Sequence, residues 1–161
     1  MSFDKAVRET LRYLFSEYLK GPSVIYRING IAKKYHVDPI ELSDYLLEKD
    51  WIRERWIYVG DIVGCKITIR GIQEINAVYV REKLRQVIGG LGDAGGSKEL
   101  LEILEHKIEE YSIALDIVRQ LEQMGYIEIR HPKDSIVIQL TEEGRRYHER
   151  GSKSFYALMA Y

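Results

Sequence analysis

One cysteine and three prolines stand in a chain of 161 residues. A single thiol makes no internal disulfide and cannot supply a cysteine-rich zinc site. No apolar run approaches the roughly 18 residues of a membrane span. The N-terminus, MSFDKAVRET, is charged where a secretory leader needs an apolar stretch. An excess of one charge sign is lacking as well. The chain has 24 Lys and Arg against 25 Asp and Glu, a net of −1, which excludes a strongly basic histone-like protein. These absences predict a soluble cytoplasmic protein in a reducing compartment, with no membrane partner. What is present is a 45% apolar composition, ample for a packed core and too high for general disorder. The length suits one ordinary domain or two very small ones.

The run GGLGDAGG (89–96) holds five glycines between segments dense in apolar residues, and it reads as a flexible linker. The expected division is an N-terminal domain 1–88, a linker 89–96, a C-terminal domain 97–150 and an apolar tail 151–161. Splitting the charge near the glycines is informative. Residues 1–90 carry 15 Lys/Arg and 12 Asp/Glu (net +3), and residues 91–161 carry 9 and 13 (net −4). The near-neutral total is a cancellation.

Both halves show the same order of elements. Val7, Leu11, Leu14, Phe15 and Tyr18 recur at helical spacing over 4–20, with Gly21-Pro22 as the stop. VIYRIN (24–29) is β-prone, and GIAKKYHV (30–37) fits one short helix. Asp38-Pro39-Ile40-Glu41 is a strong helix start, with Asp at the cap and Pro in the first turn. That helix is expected to run to Lys49. The β-prone runs 51–59 and 62–69 flank Gly60-Asp61 as a hairpin, and helical spacing returns from Ile69 to Ile88. In the second half, 98–111 and 112–125 read as helices. YIEIR (126–130) and SIVIQL (135–140) flank the turn HPKD, and TEEGRRYHER (141–150) reads as a helix capped by Thr141.

Two segments can be superposed. Leu46-Leu47-Glu48-Lys49-Asp50-Trp51-Ile52 lies over Leu121-Glu122-Gln123-Met124-Gly125-Tyr126-Ile127, and Ile67-Thr68-Ile69-Arg70-Gly71 over Leu140-Thr141-Glu142-Glu143-Gly144. This order resembles the winged helix-turn-helix, in which a helix ends in L-x-x-x-G-[aromatic or aliphatic]-I, a β-hairpin wing follows, and L-T-x-x-G opens the last helix. The C-terminal copy is similar to MarR- and PadR-type transcriptional regulators. The N-terminal copy departs from the pattern at Asp50 and Ile67. The resemblance implies an α+β fold, mostly α, made of two winged-helix domains in tandem. It also implies double-stranded DNA as a partner.

In that family the second helix of the turn enters the major groove. Here it would be 38–49, whose outward candidates are Ile40, Glu41, Ser43, Asp44 and Glu48. Asp38, Glu41, Asp44 and Glu48 against Lys49 alone make a poor groove reader, although capping accounts for two of the four acids. The corresponding helix 112–124 shows apolar residues on more than one face, as though buried on all sides. Positive charge gathers elsewhere: Lys33 and Lys34 on the short helix, and Arg53, Arg55, Lys66 and Arg70 on the first hairpin. Arg130 and Lys133 make a smaller group on the second. Strand alternation places Arg53 and Arg55 on one face of the first hairpin, with Trp56 and Tyr58 behind. These eight residues are the expected phosphate contacts; a charged edge strand guarded against pairing is the plainer alternative.

Other patterns carry less. Gly90-Leu91-Gly92-Asp93-Ala94-Gly95 matches the letters of a dinucleotide motif, but a helical segment precedes it and no βαβ unit surrounds it. His106 among acids reads as a solvated helix face, and Cys65 as a small buried hydrophobe. No nucleophile and base are suitably spaced, so neither an enzyme nor a cofactor is expected. Leu11, Phe15 and Tyr18 on the first helix, with Phe155, Tyr156 and Leu158 on the tail, are candidates for a dimer or partner surface. The leading expectation is a DNA-associated transcriptional regulator that touches DNA through basic wings. The alternative is a tandem winged-helix protein–protein module, of the kind found in condensin-type or ESCRT-type complexes.

Overall fold

The structure is a computed structural model of the chain. It describes the backbone of residues 2–22, 24–99, 111–133 and 135–159, and their side chains except at 111–113 and 151–159. The fold is α+β and mostly helical, with two small antiparallel three-stranded sheets. The chain divides into two compact units, 1–80 and 81–161.

The first unit opens with α1 (Ser2–Lys20). Its apolar stripe of Ala6, Val7, Leu11, Leu14 and Tyr18 is buried, and the one buried polar group, the Thr10 hydroxyl, donates to the Ala6 carbonyl at 2.6 Å. This stripe packs on α2 (Asn29–Lys34), α3 (Pro39–Glu48), β3 (Ile62–Ile67) and α4 (Ile69–Ile75). Leu11 and Tyr18 are therefore core, and Phe15 meets the Tyr79 ring edge-on at 5.0 Å. The expected partner surface on this helix is used inside its own unit. The sheet has the order β1 (Tyr26–Arg27), β3, β2 (Ile52–Tyr58). Asp38 caps α3 as expected, its carboxylate accepting from the Ile40 amide at 2.8 Å.

Helical spacing after Ile69 is interrupted once. Asn76 stops α4, and its side chain accepts from the Tyr79 amide at 3.1 Å to start α5 (Ala77–Asp93). The glycine run is not a linker: 89–93 is the end of α5. Val80, Leu84, Ile88 and Leu91 form one buried stripe that crosses the first glycines unbroken. The helix ends where the backbone turns left-handed at Gly95 and Gly96 (φ 82° and 98°).

In the second unit β4 (Ser97–Glu99) replaces the start of the helix expected from Lys98; the rest of that stretch, 100–110, lies outside the described residues. Next come α6 (Tyr111–Gln123), β5 (Ile127–Arg130), β6 (Val137–Leu140) and α7 (Glu142–Met159), with sheet order β4, β6, β5. Helix α6 is amphipathic, not apolar all round: Ala114, Ile117, Val118 and Leu121 are buried, while Arg119, Glu122 and Gln123 are exposed. The last helix runs beyond the expected end at 150 to Met159. The side chains of Phe155, Tyr156 and Leu158 lie outside the described residues.

The repeat read from the sequence recurs atom by atom. Thr68 Oγ1 accepts from the Gly71 amide at 3.1 Å and donates to the Asp50 carbonyl at 2.6 Å; Thr141 Oγ1 does the same with Gly144 and Gly125, at 3.1 and 2.6 Å. The Thr68 amide donates to Trp51 O at 2.9 Å, and the Thr141 amide to Tyr126 O at 3.0 Å. Asp50 and Gly125 both hold left-handed backbone, φ 60° and 81°. Asp stands where the second copy has Gly because Asp tolerates that region better than most side chains.

Candidate interaction surfaces

The exposed face of α3 is acidic. Glu41, Asp44 and Glu48 all reach solvent, and the sequence PIELSDYLLE holds no Lys or Arg to offset them. The nearest cation along the chain, Lys49, lies over the Tyr45 ring at 5.6 Å.

The hairpin β2–β3 carries the largest group of expected cations, and its geometry departs from plain alternation. Arg53 pairs with Lys66 in register, and Trp56 with Gly64, so β2 has one residue too many between them. The extra residue is taken up as a bulge with Glu54 in left-handed backbone (φ 51°). The bulge separates Arg53 from Arg55, which do not form the shared cationic face expected. Arg55 turns back onto α3 instead, where its guanidinium pairs with Asp44 and donates to Ser43 Oγ at 3.1 Å. Ser43 is itself buried and donates to the Ile40 carbonyl at 2.8 Å, so the contact ties the hairpin to the helix.

Three more of the eight expected cations have carboxylate partners. Lys66 meets Glu54 at 2.8 Å, Arg70 meets Asp50 at 3.6 Å and Arg130 meets Glu128 at 3.3 Å. Lys33 and Lys34 are exposed at the C-terminal end of α2, with Lys34 over the Tyr35 ring at 5.2 Å. Lys133 is exposed in the second hairpin turn, at φ 55°.

Beyond the bulge the β2 arm is apolar as far as Val59. Trp56, Ile57, Tyr58 and Val59 are 54, 47, 48 and 99% exposed, and the Trp56 and Tyr58 rings stack at 6.3 Å and 18°. Tyr58 also leans over Gly64, where the missing side chain leaves room. Asn29 holds the hairpin from the other edge. Its Nδ2 donates to the Asp61 carbonyl at 2.9 Å, and its Oδ1 accepts from the Val63 amide at 2.7 Å. Sequence reasoning missed Asn29. The only signal was an isolated Asn before a short helix, which reads first as a cap.

In the second unit a shallow groove of about 380 Å³ runs between α6 and the hairpin β5–β6. Leu115, Val118, Ile129 and Ile136 line it, with Arg119, Glu122 and His131 among its polar residues.

Among the described residues chemically reactive groups are few. Cys65 is fully buried on β3, and burial pushes its thiol up to about 12 against a smaller opposing pull from Arg55. Burial, with the Glu17 carboxylate nearby, raises the Tyr26 phenol, which donates to the Gly21 carbonyl at 2.8 Å. Among the described residues no three His, Cys, Asp or Glu side chains gather as a metal site, and no helix is long and apolar enough to cross a membrane. His106 lies outside the described residues.

No family model and no curated protein matches the chain. A solved structure, the crystal structure of AF1382 from Archaeoglobus fulgidus, is similar to part of it at 16% identity and a TM-score of 0.42. The similarity covers 54% of this chain and 94% of that one.

Proposed function

We propose that the chain is a tandem winged-helix protein that acts by binding rather than by catalysis, and that its first unit docks a protein rather than reading DNA. The contact of Arg55 with Asp44 and Ser43 carries this reading. It takes the best-placed cation off the wing and pairs it with Asp44, while Glu41 and Glu48 still face outward on the helix that would enter the groove. Phosphates repel that surface, and base edges are read mostly by Arg, Lys, Asn and Gln. The exposed Trp56–Val59 tip suits a protein surface better than a polyanion.

A specific observation favours DNA for the second unit. Helix α6 exposes Arg119 and Gln123, residue types that read base edges, and its wing turn exposes Lys133 beside the Arg130–Glu128 pair. The second reading is therefore a DNA-associated regulator that uses this unit alone. Fluorescence anisotropy on random duplex DNA at several salt concentrations tests both readings. Replacing Arg53 and Arg55 by Ala is expected to leave the salt slope unchanged. If the second unit binds, replacing Arg119 and Lys133 flattens it by about one unit per lost phosphate contact. A slope flattened by the Arg53 and Arg55 substitutions would overturn the docking reading.

A further inference from the structure

The outer edge of β2 is an open hydrogen-bonding edge among the described residues, since β2 ends its sheet. The direction of its free groups follows from its neighbour. On β3 the Val63 carbonyl accepts from the Ile28 amide at 3.0 Å, and the Val63 amide donates to Asn29 Oδ1 at 2.7 Å. Both Val63 groups thus face away from β2. In an antiparallel ladder the residue opposite is then a non-bonded partner whose own N–H and C=O point out of the sheet. That residue is Ile57.

Edge strands are normally guarded by charge, by proline or by being short. The corresponding edge of the second unit is guarded, because β5 exposes Glu128 and Arg130, paired at 3.3 Å. On β2 the charges stop at the bulge, and Trp56, Ile57, Tyr58 and Val59 follow uncharged and exposed.

We infer that this edge pairs with the same edge of a second copy of the chain, antiparallel about a twofold axis at Ile57. The segment is complementary to itself. With Ile57 opposite its twin, the two residues exchange both backbone bonds that each monomer leaves outward. Trp56 then falls opposite Tyr58 of the other copy, in the closer kind of antiparallel pair, about 4.5 Å between Cα atoms. The two stacked rings of each copy join into a block of four, a cross-strand arrangement that favours aromatic pairs. No charge lies within 56–59, so no like charges meet at the axis. The result is one continuous six-stranded sheet with an isologous interface. This names a partner for the docking reading of the first unit, but it stands on the β2 backbone alone. Its failure shows in the mass of the chain, and failure of the docking reading in the DNA titration.

Sedimentation equilibrium of the full chain, with tryptophan emission recorded on dilution, tests the inference. A reversible dimer is expected, with Trp56 emission shifting to the red as it dissociates. Ile57→Lys places two cations at the axis. Ile57→Pro removes an N–H that the monomer does not use, so the β2–β3 ladder survives. Each variant is expected to keep the wild-type circular dichroism and to weaken dimerisation at least about tenfold. A wild-type chain that stays monomeric at high concentration would overturn the inference. So would a dimer that persists in both folded variants, or one that forms without any change in Trp56 emission.

Discussion

At Thr68 and Thr141 one hydroxyl caps a helix and also holds the end of the preceding turn. The glycine three residues on is required by the same geometry. A β-carbon at Gly71 would run into the Trp51 carbonyl, and one at Gly144 into the Tyr126 carbonyl. Since neither backbone can yield without losing its Thr amide bond, Gly71→Ala and Gly144→Ala are each expected to destabilise by at least about 2 kcal/mol. Urea denaturation measures this. These four residues were legible in the sequence because the T-x-x-G spacing repeats. Asn29 was not, since its partners at Asp61 and Val63 lie more than thirty positions away.

Cys65 was legible as a buried hydrophobe, and burial has a consequence for pH. The folded thiol holds its proton to about 12 against an ordinary 9.0. Below pH 9 both folded and unfolded chains carry the proton. As pH rises through 9 the unfolded chain releases it first, so stability falls, by up to about 1.4 kcal/mol per pH unit. Comparing urea midpoints at about pH 8 and about pH 10 for wild type and Cys65→Ala isolates this effect, because Tyr26 is common to both proteins. The wild type is expected to lose more stability than the variant over that interval. An equal loss would place the thiol in contact with water.

Among the elements, most helices and both hairpins follow from periodicity and caps. Several features do not, the glycine run and the bulge among them. The glycine run resembles a linker by composition, yet Ile88 and Leu91 extend the buried stripe of α5 through it. Tertiary burial overrides the low helix propensity of Gly89 and Gly90. An added β-carbon at either meets open space. Gly90→Ala is therefore expected to stabilise by about 0.5–1 kcal/mol, as Gly-to-Ala does in a helix interior. In a flexible linker the substitution would be neutral in a thermal melt. The bulge at Glu54 was equally hidden. Strict alternation put Arg53 and Arg55 together, whereas one extra residue sends Arg55 back to Asp44. Nothing in a β-prone run announces which residue the partner strand will skip.

For the whole molecule, the net charge of −1 conceals a positive first half and a negative second half. Position along the chain is still too coarse a guide to binding, because cations in the positive half face carboxylates of the same unit. Each of these salt bridges has its carboxylate at the surface, where ion pairs contribute little stability. Their effect is on what the surface offers: α3 presents acid, the hairpin tip presents aromatic and aliphatic side chains, and the cations between them already have partners. The repeated geometry of Thr68–Gly71 and Thr141–Gly144 makes the two units alike in build, while their exposed helices differ in chemistry. Backbone amide NMR of the labelled chain, titrated with random duplex DNA at low salt, tests this division most directly. Amides perturbed by DNA are expected only around Arg119 and the 130–133 turn, with Asp38–Lys49 and Ile52–Tyr58 unmoved. Perturbations concentrated on α3 and the β2–β3 hairpin would contradict the account.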